Sequence, residues 1–264
     1  MLKAFAIKGV ALVTWLAATW TLGAEWMVPA IAAIATATIG FLVWAIVSPR
    51  SRFFVPVVSR LSTADPIVAL TFDDGPDPVV TPQILEVLAA HRARATFFVL
   101  GERAARHPEL IQRIHREGHS VGTHTQHHLL RFHFGSPTYV QREIEAAISV
   151  VAGILRTSPT LFRPPQGLRT PCFASGWSRT PGLTCVTWSV RGLDSRPTTA
   201  EAIVARVSRG LRPGAIVTLH DGTGLLGGTD RAATVAALAS LLSECQRRGL
   251  RCVSLGDAGV GVRG

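Results

Sequence analysis

The chain predicts an α/β fold on a mainly parallel sheet, closed as a (β/α) barrel. Three observations carry this. From Asp65 onward, strand-like and helix-like segments alternate. No GxGxxG or P-loop accompanies them, which leaves a nucleotide fold without support. The residues able to do chemistry fall at the ends of strand-like runs or in the loops just after, where barrel folds carry their sites.

The N-terminal part is different in kind. The chain has 264 residues, enough for one large domain and an appendage. Residues 9–24 and 26–47 are almost free of charge, with Glu25 between them. The second run has the length of a bilayer span, and the first is feasible with Lys8 snorkelling. Trp15, Trp20, Trp26 and Trp44 suit interfacial belts. A signal peptide is the alternative, with Lys3 and Lys8 as its basic region, but the second run and the lack of a cleavage-like site favour a helical hairpin. The expected division is a two-helix membrane anchor (1–50), a juxtamembrane linker (51–64) and a catalytic domain (65–264). Lys3 and Lys8 precede the first run, and Arg50, Arg52 and Arg60 follow the second. The positive-inside rule then favours a multi-pass anchor in a bacterial-type inner membrane with the domain on the cytoplasmic side, whereas a single span would leave the domain outside.

The predicted elements follow in order. Residues 67–72 form an apolar strand ending in Thr71-Phe72-Asp73-Asp74-Gly75-Pro76. A helix over 81–91 has Thr81 as N-cap and Pro82 at its first position. A strand covers 95–100, then a helix covers 102–117 with a break at Pro108 and a stop at Gly118. A short strand, 119–123, leads into His124-Thr125-Gln126-His127-His128. A helix over 139–155 has Val140, Ile144, Ala147, Ile148 and Val151 on one side. Residues 161–163 end another strand, and 167–181 read as irregular. A strand over 185–190, a helix over 199–211, an apolar strand over 215–219, a helix over 230–248 and a strand over 251–255 complete the chain.

Composition narrows the function. The net charge is +10, of which residues 1–50 hold +2 and the remainder +8. A basic domain beside a membrane suits anionic head groups or an anionic substrate. No nucleic-acid motif is present and arginine is scattered, so nucleic acid is not expected as a partner. Cys172, Cys185, Cys245 and Cys252 form no CxxC pair, which argues against a cysteine zinc site.

The candidate chemistry starts at Asp73 and Asp74. Adjacent carboxylates resist joint ionisation unless a cation or an arginine offsets them. His124 and His128, at i, i+4 on a helical turn, can share one ion. Two imidazoles and one carboxylate form the three-ligand pattern of catalytic zinc, with His127, His133 and His119 as rival ligands. Arg163 can keep Asp73 ionised. Asp194 can hold His220 protonated as a general acid. The bland readings are a turn-capping acid pair, a strand-end arginine and a loop acid.

Taken together, these motifs resemble the polysaccharide deacetylases, the NodB-homology domain of the fourth carbohydrate esterase family, over about residues 65–256. The carriers are Thr71-Phe72-Asp73-Asp74-Gly75-Pro76, His124 to His128, Arg163-Pro164-Pro165-Gln166-Gly167, Asp194 and Leu219-His220-Asp221. The resemblance implies a distorted TIM-like barrel. It makes Asp73 the base, His220 the acid, Arg163 and Asp194 their orienting partners, and Asp74, His124 and His128 the ligands of a divalent metal, with zinc the default. Substrate contacts fall to Pro165, the Gln166 backbone N–H at the oxyanion, and Leu219 at an acyl-methyl pocket. Gln166 and Ser195 stand where the family commonly has aromatic residues, which puts long-polymer binding in doubt.

The implied activity is hydrolysis of N-acetyl groups on amino sugars of a polysaccharide, peptidoglycan or lipid-linked glycan. Alternatives are a deformylase or deacylase of a lipid-linked amino sugar, and an idle, membrane-tethered sugar-binding protein.

Overall fold

The structure is a computed structural model that describes Val13, Ala17, residues 24–223 and residues 231–261. The first arm of the expected hairpin, with Lys3 and Lys8, lies almost wholly outside the described residues. The chain divides into two units, residues 1–47 and 48–264. In the first, α1 (Ala24–Val47) contains Pro29. Its stretch Trp26–Val47 has a mean hydropathy of 2.3, and only 6% of it is buried. By length and composition this helix is a membrane span or a signal sequence. Glu25, expected in a turn between two spans, lies in its first turn.

The second unit is built on β1 (Ile67–Asp73), a strand buried at every position. Its odd-numbered residues face inward and its even-numbered residues face the helices, because strand side chains alternate. Val68, Leu70 and Phe72 join the large helix–sheet core. Ile67 and Ala69 join a smaller inner cluster with Phe98, Leu161, Trp188 and Ile216.

The remaining elements wrap around this strand. They are α2 (Val80–Ala90), β2 (Ala95–Val99), α3 (Gly101–Arg106), α4 (Pro108–Arg116) and β3 (Ser120–Thr123). Next come α5 (Pro137–Leu155), β4 (Leu161–Phe162), α6 (Pro171–Trp177), β5 (Thr184–Cys185) and β6 (Val190–Arg191). Last are α7 (Ala200–Gly210), β7 (Ile216–His220), α8 (Ala232–Arg247) and β8 (Arg251–Cys252). The sheet order is β5-β4-β3-β2-β1-β7-β6, with β8 paired to the start of β1. Every named pairing is parallel, so the sheet curls into a partial barrel of the predicted (β/α) type, and all post-strand loops leave on one face.

Several local expectations give way to side-chain chemistry. Thr81 does not cap α2: Asp77 caps it, accepting from the Val79 and Val80 N–H groups, while the Thr81 hydroxyl donates to Asp221 Oδ2 at 2.6 Å. The expected helix break at Pro108 is present, with His107 separating α3 from α4. The supposedly irregular 167–181 contains α6, short but capped by Thr170. The strand expected over 185–190 is divided between β5 and β6, on opposite edges of the sheet.

Residues 51–64, expected as a linker, are packed into the unit. Val55 and Val57 join an aromatic cluster with Phe132, Phe162 and Phe173, and Leu61 joins the inner cluster. Val58 bridges Val186, and Arg60 bridges Ala215. Apolar residues interleaved with the basic ones make this stretch worth burying.

Candidate active site

The site forms where β1 ends. Asp73 and Asp74 would alternate across the sheet in a regular strand, but Asp74 adopts a left-handed conformation, φ 74°. Aspartate tolerates that region better than most residues. Gly75 follows because the Asp221 carboxylate packs on it: a Cβ there would meet Asp221 Oδ2 at 2.1 Å.

Each oxygen of Asp73 accepts a hydrogen bond. Arg163 Nη1 donates to Oδ1 at 2.6 Å, and Thr218 Oγ1 donates to Oδ2 at 3.1 Å. Arg163 is itself fully buried. It also donates to Thr71 Oγ1, to Thr218 Oγ1 and to the carbonyls of Val186 and Thr187, and its guanidinium lies 4.1 Å from the centre of the Phe98 ring. Burial alone would raise the Asp73 carboxyl, but Arg163, His124 and His220 outweigh it and hold it below its ordinary value.

Asp74 is the opposite case. Its Oδ1 is buried without a hydrogen-bond partner, although His124 Nε2 stands 3.5 Å away and His128 Nε2 3.4 Å away. The histidines do not lie on a helical turn. They sit in a loop bent by left-handed residues, Thr125 (φ 75°) and His128 (φ 55°), with the His128 N–H donating to Thr125 Oγ1. The loop nevertheless brings both rings to Asp74. His124 Nδ1–H donates to the Arg163 carbonyl at 2.7 Å, which leaves Nε2 as the free acceptor. Burial, assisted by His128, pushes the His124 imidazole down to about 4, so it is neutral near pH 7.

This donor set fits a metal. Asp74, His124 and His128 are buried, and each offers a ligand atom within 4.8 Å of the others. Donors about 2.0–2.1 Å from a tetrahedral zinc stand about 3.4 Å apart, matching the two imidazole–carboxylate separations. The rival histidines are engaged elsewhere: His127 with Glu143, His133 with Gln166 and His119 with the Ala95 N–H.

The other wall comes from β7. His220 Nδ1–H and its backbone N–H both donate to Asp194, each at 2.8 Å, and Thr234 donates to the same carboxylate at 2.9 Å. Burial would lower the His220 imidazole, yet Asp194, with help from Asp74 and Asp73, raises it to about 9. Asp194 is held below its ordinary value: burial would raise it, but His220 and Thr234 prevail. Asp221, just beyond, is pushed up to about 7 chiefly by burial.

Leu219 is not on the site's side of the strand. It is packed in the helix–sheet core, because alternation from His220 turns the residue before it outward and Thr218 inward. Thr218 was missed by the sequence reading, although that same alternation marks it. Gln166 adopts a left-handed conformation, φ 49°, and its side-chain oxygen accepts from His133 Nε2–H at 2.8 Å. Pro165 beside it is buried. The next residue must be glycine, since a Cβ on Gly167 would meet the Trp188 ring at 2.3 Å.

Comparison with known proteins agrees with this geometry. The polysaccharide deacetylase profile matches residues 60–175. The chain is 38% identical over 194 residues to a peptidoglycan-N-acetylglucosamine deacetylase of Bacillus cereus, covering 72% of this chain and 87% of that protein. It is 40% identical over 208 residues to a chitooligosaccharide deacetylase of Sinorhizobium fredii, covering 76% and 96%. The crystal structure of a peptidoglycan N-acetylglucosamine deacetylase superposes with a TM-score of 0.70 at 30% identity, covering 76% of this chain and 91% of that one. A family 4 carbohydrate esterase from Streptomyces lividans, in complex with acetate, gives 0.65 at 31% identity, covering 75% and 97%. The chain therefore belongs to the polysaccharide deacetylase family, carbohydrate esterase family four with the NodB-homology fold, and is an enzyme of that hydrolase class.

Proposed function

We propose that this protein is a membrane-tethered, metal-dependent N-deacetylase of amino-sugar glycans. One observation carries the reading: a carboxylate bonded by the protein at both oxygens, Asp73, stands next in sequence to one whose Oδ1 is left without a hydrogen bond between two imidazoles, Asp74. The relatives that act on peptidoglycan and chitooligosaccharides support the substrate class.

Asp74, His124 and His128 would hold the metal. A divalent ion there, zinc by its donor set, supplies Lewis acidity and makes water a better nucleophile. Asp73, kept ionised by Arg163 and Thr218, takes the proton of the water that attacks the acyl carbon. The Gln166 N–H, presented by its left-handed backbone, meets the developing oxyanion. His220, kept protonated by Asp194, gives its proton to the departing sugar amine. Acetate and a free amino sugar result. Thr218, not Leu219, borders the reacting group from β7.

The tether is α1, and its apolar length favours a glycan close to a membrane, lipid-linked forms included. Two spans would return the domain to the cytoplasmic side. The test is acetate release by the zinc-loaded full chain from N-acetylglucosamine oligomers and from a lipid-linked N-acetyl amino sugar, with His124→Ala as control. Acetate from either, absent in the control, supports the proposal. No release with metal bound would refute it as a deacetylase.

A further inference from the structure

The catalytic unit hides its apolar side chains well, with one localised exception. Among its described residues the exposed large apolar ones are Val79, Leu130, Phe134 and Leu193. Val79 follows β1, Leu130 and Phe134 follow β3, and Leu193 follows β6. In an all-parallel sheet these loops share one face, and it is the face that carries the site. Monomeric soluble surfaces rarely gather apolar residues this way without a partner.

The charge on the same loops is one-sided. Arg131, Arg191 and Arg196 are exposed. Arg131 is braced on Tyr139, donating to its hydroxyl at 2.7 Å, and Arg191 lies 5.2 Å from the centre of the Trp188 ring. Loop residues 74–79, 124–136, 163–170 and 192–199 contain three carboxylates: Asp74 and Asp194 are buried, and half-buried Asp77 caps α2. None is exposed.

The chain also enters the unit here. Arg169, just beyond the Gln166 turn, donates to the carbonyls of both Gly167 and Ser48. Thr187 Oγ1 donates to the Pro49 carbonyl at 2.6 Å. Ser48 is the residue that follows the apolar helix α1.

We propose that this loop face docks on an anionic lipid bilayer. Val79, Leu130, Phe134 and Leu193 enter the head-group region, and Arg131, Arg191 and Arg196 lie over anionic head groups. Aliphatic side chains joined to cations, with no exposed carboxylate within these four loops, match a lipid–water interface. A sugar platform would instead call for several flat aromatic rings, and Phe134 is the only aromatic among the four. The inference is independent of the reaction assigned above.

Hydrogen–deuterium exchange on the full chain tests it, in nanodiscs of phosphatidylcholine alone and of phosphatidylcholine mixed with phosphatidylglycerol. Amides of residues 130–134 and 191–196 are expected to exchange severalfold more slowly in the anionic discs, with roughly a fivefold change in docking per arginine. Leu130→Ser, Phe134→Ser and Leu193→Ser combined should abolish the protection, as should Arg131→Glu with Arg196→Glu. Unchanged exchange in Ala232–Arg247 would show that the variants are folded. Equal loop exchange in both discs would overturn the proposal. Protection that appears only on adding chitooligosaccharide or peptidoglycan fragments would also overturn it and make the rim a glycan surface.

Discussion

Asp73 and Asp74 are neighbours in the chain and opposites in the site. Both oxygens of Asp73 are matched by fixed donors, a guanidinium and a hydroxyl. Asp74 is equally buried, yet its Oδ1 faces two imidazole nitrogens at distances too long for strong hydrogen bonds. A folded chain rarely leaves a buried oxygen unmatched. The difference teaches which partner each carboxylate is made for. The protein itself completes Asp73, and only something from outside the chain completes Asp74.

The largest effects should come from breaking the incomplete half. His124→Ala and Asp74→Ala are expected to reduce acetate release to background. They should also remove the stabilisation that zinc gives the wild type, about 2.7 kcal/mol at a hundredfold excess over Kd. Thermal melts with and without zinc check this, and an undiminished zinc shift in both variants would contradict the division.

Next comes the completed half. Asp73→Asn should keep the zinc shift while kcat falls about 10²- to 10⁴-fold, the usual range for a general base. Loss of the zinc shift in this variant would blur the two roles.

A third experiment reads His220 through pH. Its imidazole is raised to about 9, so a proton-donating role persists through neutral pH and fades as pH rises through about 9. Asp194→Asn should move that basic limb towards the ordinary histidine value of about 6.5, as a kcat–pH profile would reveal. The sign for stability is the same. A raised folded-state value means that the His220–Asp194 pair contributes fully below about 6.5, and that the contribution is lost as pH rises towards 9. Denaturant midpoints that climb over that interval would argue against the pairing.

The smallest effect belongs to Thr218→Val. Losing one hydrogen bond of about 1 kcal/mol at Asp73 should cost roughly fivefold in kcat with little change in KM. Thr218→Ser should restore it. A change confined to KM would instead make Thr218 a substrate contact.

Much of the site could be read from the sequence because its residues stand where continuous apolar runs end in charged side chains, the mark of buried parallel strands. Asp73, Asp74, Arg163 and His220 are of this kind. The histidine loop shows what spacing alone conveys. An i, i+4 interval indicated that the two rings meet, but not that left-handed Thr125 and His128 bring them together without a helix. Thr81 and Leu219 were misplaced for related reasons. A hydroxyl beside a helix start looks like a cap until a distant carboxylate claims it, and motif adjacency concealed the outward turn of Leu219. The packing of residues 51–64 depended on partners more than a hundred residues away, Val186 and Ala215, which local pattern cannot reveal.

Arg163 has one more consequence. Its guanidinium lies 4.1 Å from the centre of the Phe98 ring and 5.6 Å from that of Trp188, and both rings pack in one cluster with Leu61, Ile67, Leu161, Ile216 and Leu255. On that side the site is closed by packed apolar side chains. A small acyl fragment lying between that floor and the sugar would have to wait for the sugar to leave. Acetate should then be the last product released, and it should compete with incoming glycan in product-inhibition kinetics.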